Sequence, residues 1–184
     1  MGEIVPFERE KLICGVLLSR DSGLDAVRDV LEKAFGPADF ISPEFDFIYT
    51  RYYDAEMGTG IRRVYLSFQR LISPEQLPGI KITANRLETD FLTEAGRQVN
   101  LDPGLLSLGR VILASSKDAG HRIPLSGGIY GEVTLVYRFG RWQPLEWTYP
   151  DYQSEECREQ MAEIRRIFKE QRKTVANLSG GESE

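Results

Sequence analysis

The amino-acid sequence predicts an α+β fold, and three features of the chain indicate this class. Apolar runs of strand length occur in both halves of the chain. Between them lie segments whose apolar residues recur at helical spacing, and two strands follow one another without a helix between them. Hydrophobic residues make up 41% and charged residues 28% of the 184 residues, which excludes wholesale disorder. We expect a single domain over residues 1–173 and a disordered tail over 174–184.

The first half of the chain predicts a strand, a helix and two further strands. Residues 12–19 form a continuous apolar run, which is typical of a strand buried on both faces. Residues 39–53 are rich in aromatic and β-branched side chains, and residues 63–72 alternate between apolar and polar. A turn at 57–60 should join these two strands. The helix between residues 19 and 36 has its apolar residues on one face: Leu24, Val27, Leu31 and Phe35.

Two helices are predicted in the second half of the chain. Pro74 suits the first turn of a short helix, which Pro78 and Gly79 should break. The main helix should then cover residues 80–95 and stop at Gly96. A last helix after Asp151 carries four apolar residues at helical spacing, namely Cys157, Met161, Ile164 and Phe168.

The remaining strands complete the predicted order of elements. Strands are expected at 110–116 and 129–139, and the second should turn at Gly140 into a further strand at 142–147. The order is therefore strand, helix, strand, strand, helix, strand, then a hairpin and a helix. This order predicts a ferredoxin-like βαββαβ core extended by a C-terminal β-hairpin and helix. The alternative is a mixed sheet that is covered on both faces.

Charge and cysteine content narrow the possible partners and the compartment. The net charge of −5 argues against nucleic acid or an anionic membrane surface as the main partner. The apolar run that contains Cys14 is too short to span a bilayer, and no signal-peptide cleavage site follows it. Cys14 and Cys157 suit a reducing compartment in which both remain thiols. We therefore expect a cytoplasmic protein without a membrane partner, and a homo-oligomer is compatible with the sequence.

The segment from residue 115 to 122 is the main candidate for a ligand site. It follows a predicted buried strand and contains the only histidine of the chain. Residues 110–141 include five basic and two acidic residues, so positive charge is locally in excess. A phosphate or carboxylate could be bound there by cationic groups and hydroxyls. The alternative is a solvated turn. The candidate ligand-binding residues are Ser115, Ser116, Lys117 and Arg122, with Tyr53 as aromatic surface.

Catalytic and metal-binding roles can be assigned to His121 and to three acidic residues. Histidine is the side chain that most often serves as a general acid or base, so His121 could transfer a proton. Asp102 and Glu132 are the candidate catalytic carboxylates, and Glu56 is the candidate ligand for a divalent cation such as Mg²⁺. Their alternatives are a plain turn at Asp102 and a cross-strand salt bridge at Glu132. The sequence leaves open whether the protein is an enzyme and which cofactor it uses.

Five motifs in combination resemble a bacterial family, domain of unknown function 4416, over about residues 11–173. The motifs are Tyr52-Tyr-x-x-Glu-Met-Gly58, Asn100-Leu-Asp-Pro-Gly104, Ser115-Ser-Lys-Asp118 with His121-Arg122, Gly128-Ile-Tyr-x-Glu-Val-Thr-Leu135 and Thr148-Tyr-Pro-Asp-Tyr152. The resemblance implies no established activity. Some members of the family carry the label of GTP-binding protein, but this sequence lacks the G-x-x-x-x-G-K-[ST] loop that would cradle nucleotide phosphates.

Two functional hypotheses follow from these residues. The first is a protein that binds a small anionic ligand, phosphate- or nucleotide-like, in a polar pocket, with or without catalysis. The second is a non-catalytic interaction or assembly module that acts through its C-terminal helix and aromatic hairpin. The first requires that ionisable groups far apart in the sequence meet in the folded chain.

Overall fold

The structure is a computed structural model that describes residues 2–94 and 96–179. The helices are α1 (Leu24–Phe35), α2 (Asp54–Met57), α3 (Leu77–Thr89) and α4 (Glu155–Ser179), with a 3₁₀ turn at Pro74–Gln76. The strands are β1 (Glu10–Leu18), β2 (Ala38–Ile41), β3 (Phe45–Asp46), β4 (Arg62–Ile72), β5 (Leu92–Thr93), β6 (Gly96–Arg97), β7 (Val99–Leu106), β8 (Arg110–Ser115), β9 (Ile123–Pro124), β10 (Tyr130–Arg138) and β11 (Arg141–Pro144). The predicted α+β class is confirmed.

One antiparallel sheet of nine strands organises the chain. Its order is β11-β10-β8-β7-β1-β4-β2, with β3 paired to β4 and β9 paired to β10. Strand β1 is central, between β4 and β7, and is antiparallel to both. The short strands β5 and β6 pair with each other outside this sheet. Every pairing among the described strands is antiparallel, so the alternative of a mixed sheet is wrong in its strand directions. Its other part, a sheet covered on both faces, is confirmed.

The two faces of the sheet carry separate apolar cores, because successive strand residues point to opposite sides. On one face, α1 and α3 pack over β1, β4 and β7. On the other face, which we call the α4 face, the apolar side of α4 forms one cluster with residues of β1, β4, β7, β8, β10 and β11. A third, smaller cluster around Leu17, Phe47 and Ile61 covers another part of the α4 face. The apolar residues of α4 are therefore buried against the sheet of the same chain.

Two sequence predictions are wrong, one about a helix near Pro78 and one about a turn near Pro103. Helix α3 begins at Leu77 and runs through Pro78 and Gly79 without a break, because a proline in the first helical turn gives up no helical hydrogen bond. It ends at Thr89, before the predicted stop. The segment around Pro103, for which we expected a turn as the alternative to a site, lies inside strand β7. Pairing of β7 with β8 begins only at Gly104.

The C-terminal part of the chain extends the sheet and covers it. Strand β10 turns at Phe139 and Gly140 into β11, and Phe139 has a positive φ of 52°. Helix α4 continues to Ser179, past the predicted start of the tail at residue 174. Residues 180–184 of that predicted tail lie outside the described residues. None of the helices in the described part of the chain has the length and apolar character needed to cross a lipid bilayer.

Candidate functional site

A polar site lies on the α4 face, where a glycine separates the two apolar clusters of that face. Gly15 lies between Ile13 and Leu17 on β1, and each of those two residues belongs to a different cluster. The space above Gly15 is filled by four polar residues from three parts of the chain. We call these the Arg63 group: Arg63, Asp102, Asp151 and Tyr152.

Arg63 is a buried cation held between two carboxylates. Its side chain is 5% exposed. Nη1 donates to Asp102 Oδ2 at 3.2 Å, and Nη2 lies 2.7 Å from Asp151 Oδ2. Arg63 Nε and the Tyr152 hydroxyl are buried and have no hydrogen-bond partner among the described residues. Buried polar atoms without a partner are uncommon in native proteins, and they often mark the place of a water molecule or a ligand.

The pKa values of the two aspartates shift in opposite directions. Burial alone would raise the pKa of Asp102, but Arg63 and Lys81 outweigh this effect and hold it below its usual value. Burial raises the pKa of Asp151, although Arg63 counteracts part of the shift. The side chain of Asp102 is 25% exposed, whereas that of Asp151 is 5% exposed. Asp102 is therefore the carboxylate that remains charged and also reaches solvent.

Gly15 is expected to be necessary for this arrangement. A β-carbon at this position would lie 2.6 Å from the Tyr152 hydroxyl and 2.8 Å from Arg63 Nη1. We expect Gly15→Ala to lower the free energy of unfolding by about 1–3 kcal/mol, because both neighbours are fixed by packing. Urea denaturation measures this change. Gly109→Ala is the control, since its β-carbon would contact nothing within 4 Å. Equal stability of the two variants would contradict the crowding at Gly15.

A second polar group is centred on Glu132 of β10. We call it the Glu132 group: His121, Arg122 and Glu132. The Glu132 side chain is buried, and its Oε2 lies 3.0 Å from His121 Nε2 and accepts from Arg122 Nε at 2.9 Å. The predicted alternative, a bridge from Glu132 to Arg110 or Arg138, does not form; Arg110 pairs with Glu10 instead.

The loop after β11 brings aromatic rings to this place. Trp147 Nε1 donates to the carbonyl of Val133 at 2.9 Å, and Thr148 Oγ1 donates to the carbonyl of Thr134 at 2.5 Å. These two bonds fix the loop on β10. The Trp147 ring then stacks on His121, with the ring centres 5.4 Å apart and the planes 12° from parallel.

Tyr149 connects the two polar groups. Its hydroxyl accepts a hydrogen bond from Arg122 Nη2. Burial raises the pKa of Tyr149, Glu132 raises it further, and Asp102 and Asp151 add to the same shift. Tyr149 also lies two residues before Asp151, so the loop after β11 contacts the Glu132 group through Tyr149 and supplies Asp151 to the Arg63 group.

The outer edge of the site is formed by Lys117 and two tyrosines. Lys117 Nζ donates to the Tyr52 hydroxyl at 2.7 Å. The Tyr52 ring packs edge-on against Tyr53, and Arg97 lies 5.7 Å from the centre of the Tyr53 ring. Asp102 contributes to the raised pKa of Tyr53, whose main cause is burial. We call the whole assembly the polar cluster: the two groups above with Tyr52, Tyr53, Arg97, Lys117, Trp147 and Tyr149.

The predicted site residues occupy different parts of this assembly. Glu132, His121 and Arg122 contact one another directly, and Lys117 and Tyr53 lie at the outer edge. Asp102 belongs to the Arg63 group, where it contacts Arg63. The hydroxyl of Ser115 accepts from the backbone N–H of Lys117 at 3.1 Å, and Ser116 is exposed.

Glu56, the predicted metal ligand, pairs with an arginine. Its Oε2 accepts a hydrogen bond from Arg97 Nη2 at 2.5 Å. Gly96 allows the two segments to come this close, because a β-carbon at its position would collide with the backbone of Glu56. Its φ of 114° is also one that glycine adopts readily. Among the residues that the structure describes, no group of three or more His, Cys, Asp or Glu side chains is arranged to hold a metal ion.

Seven residues of the polar cluster are not among the predicted site residues: Tyr52, Arg63, Arg97, Trp147, Tyr149, Asp151 and Tyr152. Arg63 lies on the polar side of the alternating strand β4, and we assigned it no role. Asp151 and Tyr152 belong to the motif Thr148-Tyr-Pro-Asp-Tyr152, to which we assigned no role in the site. Arg97 follows a glycine in an unpatterned segment. The one signal in the sequence was Arg63 itself, a charged residue at a polar position of an alternating strand. When another element covers the sheet face that carries such a side chain, the charge needs a partner.

Comparisons with known proteins agree with the resemblance noted in the sequence. The family model of domain of unknown function 4416 (DUF4416) matches residues 8–168, which is most of the chain. Neither a search of the curated proteins nor a search of the solved structures gave a match. What the polar cluster can do therefore has to be argued from its own residues.

Proposed function

The chain belongs to the family of domain of unknown function 4416, and from its polar cluster we propose that it binds a small anionic ligand of the phosphate- or nucleotide-like kind. One observation carries this proposal. Arg63 and Arg122 each form an ion pair inside the cluster, and Arg97 pairs with Glu56 and Glu88 beside it. Lys117 forms no ion pair with any described residue, and its ammonium contacts only the phenol of Tyr52. Lys117 is thus the cation that is available to an external anion.

Arg122 supports Lys117 rather than competing with it for the ligand. Its Nε bonds Glu132, its Nη2 bonds Tyr149, and its Nη1 donates to the carbonyl of Lys117 at 2.8 Å. The guanidinium therefore fixes the loop that carries the lysine. In this proposal, Lys117 and the loop around Ser115 and Ser116 contact the anion, and Arg122 positions them.

A catalytic version of the proposal uses His121. An ionised carboxylate only accepts hydrogen bonds, so Glu132 Oε2 favours the tautomer in which His121 Nε2 carries the proton. The other ring nitrogen, Nδ1, is then the one that can accept a proton from a bound molecule. In this version Glu132 is a positioning residue that fixes the tautomer and the orientation of the ring.

We also propose that the core is of the ferredoxin-like type and that the protein is cytoplasmic. The order β7-β1-β4-β2 supports the first part, because it corresponds to the fourth, first, third and second strands of a βαββαβ unit. Helix α1 connects the first strand to the second, and α3 connects the third to the fourth. Two buried free cysteines, Cys14 and Cys157, support a reducing compartment.

Ligand-dependent stabilisation tests the proposed function. Inorganic phosphate, pyrophosphate and nucleoside monophosphates are added to the wild-type protein, and the melting temperature is followed. We expect at least one of them to raise it by several degrees, since a ligand at a hundred times its Kd stabilises by about 2.7 kcal/mol. Lys117→Met should weaken binding by about tenfold or more, because it removes a charge-assisted hydrogen bond.

Lys33→Met is the matched control, because Lys33 is an exposed lysine on α1 outside the polar cluster. Its affinity for the same anion should equal that of the wild type. The proposal fails if none of the anions changes the melting temperature, or if Lys117→Met binds as tightly as Lys33→Met.

The competing function, an interaction module, is favoured by the hairpin tip and not by the helix. Phe139 is 92% exposed and has a left-handed backbone conformation that is unfavourable for a large side chain. An exposed aromatic side chain that is retained despite an unfavourable backbone conformation is compatible with a contact to a second copy of the chain. Light scattering tests this: a dimer that dissociates in Phe139→Asn would favour it, and a wild-type monomer would exclude self-assembly through the tip.

A further inference from the structure

His121 is the only histidine of the chain, and its ring is held from two sides. Its Nε2 lies 3.0 Å from Oε2 of Glu132, a carboxylate whose side chain is 1% exposed. The Trp147 ring stacks on the imidazole with the ring centres 5.4 Å apart, and a hydrogen bond to the carbonyl of Val133 fixes Trp147 in turn. The imidazole therefore has a defined position and orientation.

The other ring nitrogen of His121, Nδ1, is open to solvent. No described residue forms a hydrogen bond with it, and it is not one of the buried polar atoms that lack a partner. The His121 side chain is 28% exposed. Because the carboxylate of Glu132 favours the tautomer with the proton on Nε2, Nδ1 carries a free lone pair. A small molecule in solution can reach this lone pair.

Glu132 would stabilise the ring when Nδ1 forms a bond. An imidazole that is bonded at Nδ1 and keeps its proton on Nε2 carries a positive charge, and a carboxylate in contact with Nε2 favours that charge. Arg122 Nε contacts the same carboxylate oxygen at 2.9 Å, so Glu132 and Arg122 together carry no net charge before the reaction. An anionic reagent is therefore not repelled by the carboxylate that orients the ring.

The charge around His121 favours an anionic reagent. Residues 110–141 carry five basic and two acidic side chains. Lys117 lies four residues before His121 and forms no ion pair with a described residue, and its carbonyl accepts from Arg122 Nη1 at 2.8 Å, which closes the loop. Phosphoryl transfer depends mainly on a positioned nucleophile and on favourable charge, and both are present here.

We propose that His121 accepts a phosphoryl group on Nδ1 from a small acyl phosphate, so that the chain carries a phosphohistidine. The Nδ1 lone pair forms the bond to phosphorus while the bond from phosphorus to the acyl oxygen breaks. The leaving carboxylate takes that electron pair, so this step needs no proton donor, and Nε2 keeps its proton against Glu132. The inference goes beyond anion binding, because the group becomes covalently attached and Lys117 need not hold it.

Treatment of the folded protein with acetyl phosphate tests this inference. We expect the intact mass to increase by one phosphoryl group, and the modification to be lost in acid and kept in alkali, as a phosphorus–nitrogen bond requires. The same chain unfolded in guanidinium chloride gives the intrinsic reactivity of its single histidine. The folded protein should react faster by about tenfold or more. His121→Asn should remain unmodified.

Glu132→Gln measures the contribution of the carboxylate. The substitution keeps the length of the side chain and removes its charge, so the rate should fall by about tenfold or more. Glu159→Gln changes an exposed glutamate of α4 and should react at the wild-type rate. Nitrogen chemical shifts of the imidazole need no variant, and in the wild-type protein they should place the proton of the neutral ring on Nε2.

Four results would overturn the inference. They are equal rates for the folded and the unfolded chain, an acid-stable modification, equal rates for Glu132→Gln and Glu159→Gln, and a proton on Nδ1. If Glu132→Gln does not fold, the two measurements on the wild-type protein still decide. Anion binding is judged separately, by the melting temperature and Lys117→Met. Modification of His121 without any stabilisation by anions would support the inference and remove the proposed function.

Discussion

Replacing Arg63 with methionine is expected to lower the free energy of unfolding by about 3–5 kcal/mol, because it leaves the buried Asp151 and the partly buried Asp102 without their common cation. Asp102 and Asp151 both contact this guanidinium, and each side chain is mostly or wholly covered. Urea denaturation of Arg63→Met against the wild type measures the change. Arg138→Met is the control, because Arg138 is an exposed arginine at the end of β10. It should change stability by no more than about 0.5 kcal/mol.

A double variant shows whether the loss comes from unpaired charge. In Arg63→Met with Asp151→Asn, the more deeply buried carboxylate is neutralised, so part of the lost stability should return. The coupling between the two positions should amount to about 0.5–3 kcal/mol. Additive effects would contradict the direct pairing of Arg63 with Asp151.

Replacing Asp39 with alanine is expected to cost about 3–5 kcal/mol as well, because it leaves the ammonium of Lys11 in the protein interior without its counter-charge. The Lys11 side chain is fully buried and pairs with Asp39, while Gln171 of α4 accepts a second hydrogen bond at 2.8 Å. Ser67 donates to the other oxygen of Asp39 at 2.6 Å. The thermal unfolding midpoint and the urea midpoint should both fall.

Two comparisons isolate this ion pair. Asp29→Ala removes an exposed aspartate of α1 that pairs only weakly with Arg28, and it should be nearly neutral. Lys11→Met combined with Asp39→Ala removes both charges and should recover most of the stability lost in Asp39→Ala. If the double variant is no more stable than Asp39→Ala, burial of Lys11 is not the cause of the loss.

Local patterns predicted the elements with clear periodicity. Helix α1 occurs over residues 24–35, and the apolar residues of α4 that we expected on one face are buried together. Strands β1, β4 and β8 lie close to their predicted positions, because each has a run or an alternation that only a strand satisfies. The pattern that predicts each of these helices and strands lies in residues that are neighbours in the sequence.

Strand β7 shows what local patterns miss. Asp102, Pro103 and Gly104 have the composition of a turn, yet they lie in the middle of an eight-residue strand. Proline has no N–H to donate, and pairing with β8 starts at the next residue. Gly104 has no β-carbon, and one would collide with the carbonyl of Ile112 on β8. The turn-forming residues therefore mark the point where β7 begins to pair with β8, which only the paired strands can reveal.

The site itself could be predicted only in part for the same reason. His121, Arg122 and Glu132 are close in sequence and belong to one hairpin-like stretch, so the sequence alone allowed us to predict that they form one group. Arg63, Asp102 and Asp151 come from three distant segments, and they meet because β1 places β4 and β7 on either side of Gly15. Lys11 shows the same limit, because a lysine next to an apolar run gives no sign that it is fully buried.

Chemical shifts of the backbone amides on addition of inorganic phosphate test the central claim most directly, since they report both binding and its place. If Lys117 holds the anion, the largest changes should occur at residues 115–122 and at Tyr52 and Tyr53, and they should be absent in Lys117→Met. The account is contradicted if saturating phosphate leaves these amides unmoved, or if the changes centre on another cationic region such as Arg110 and Arg172.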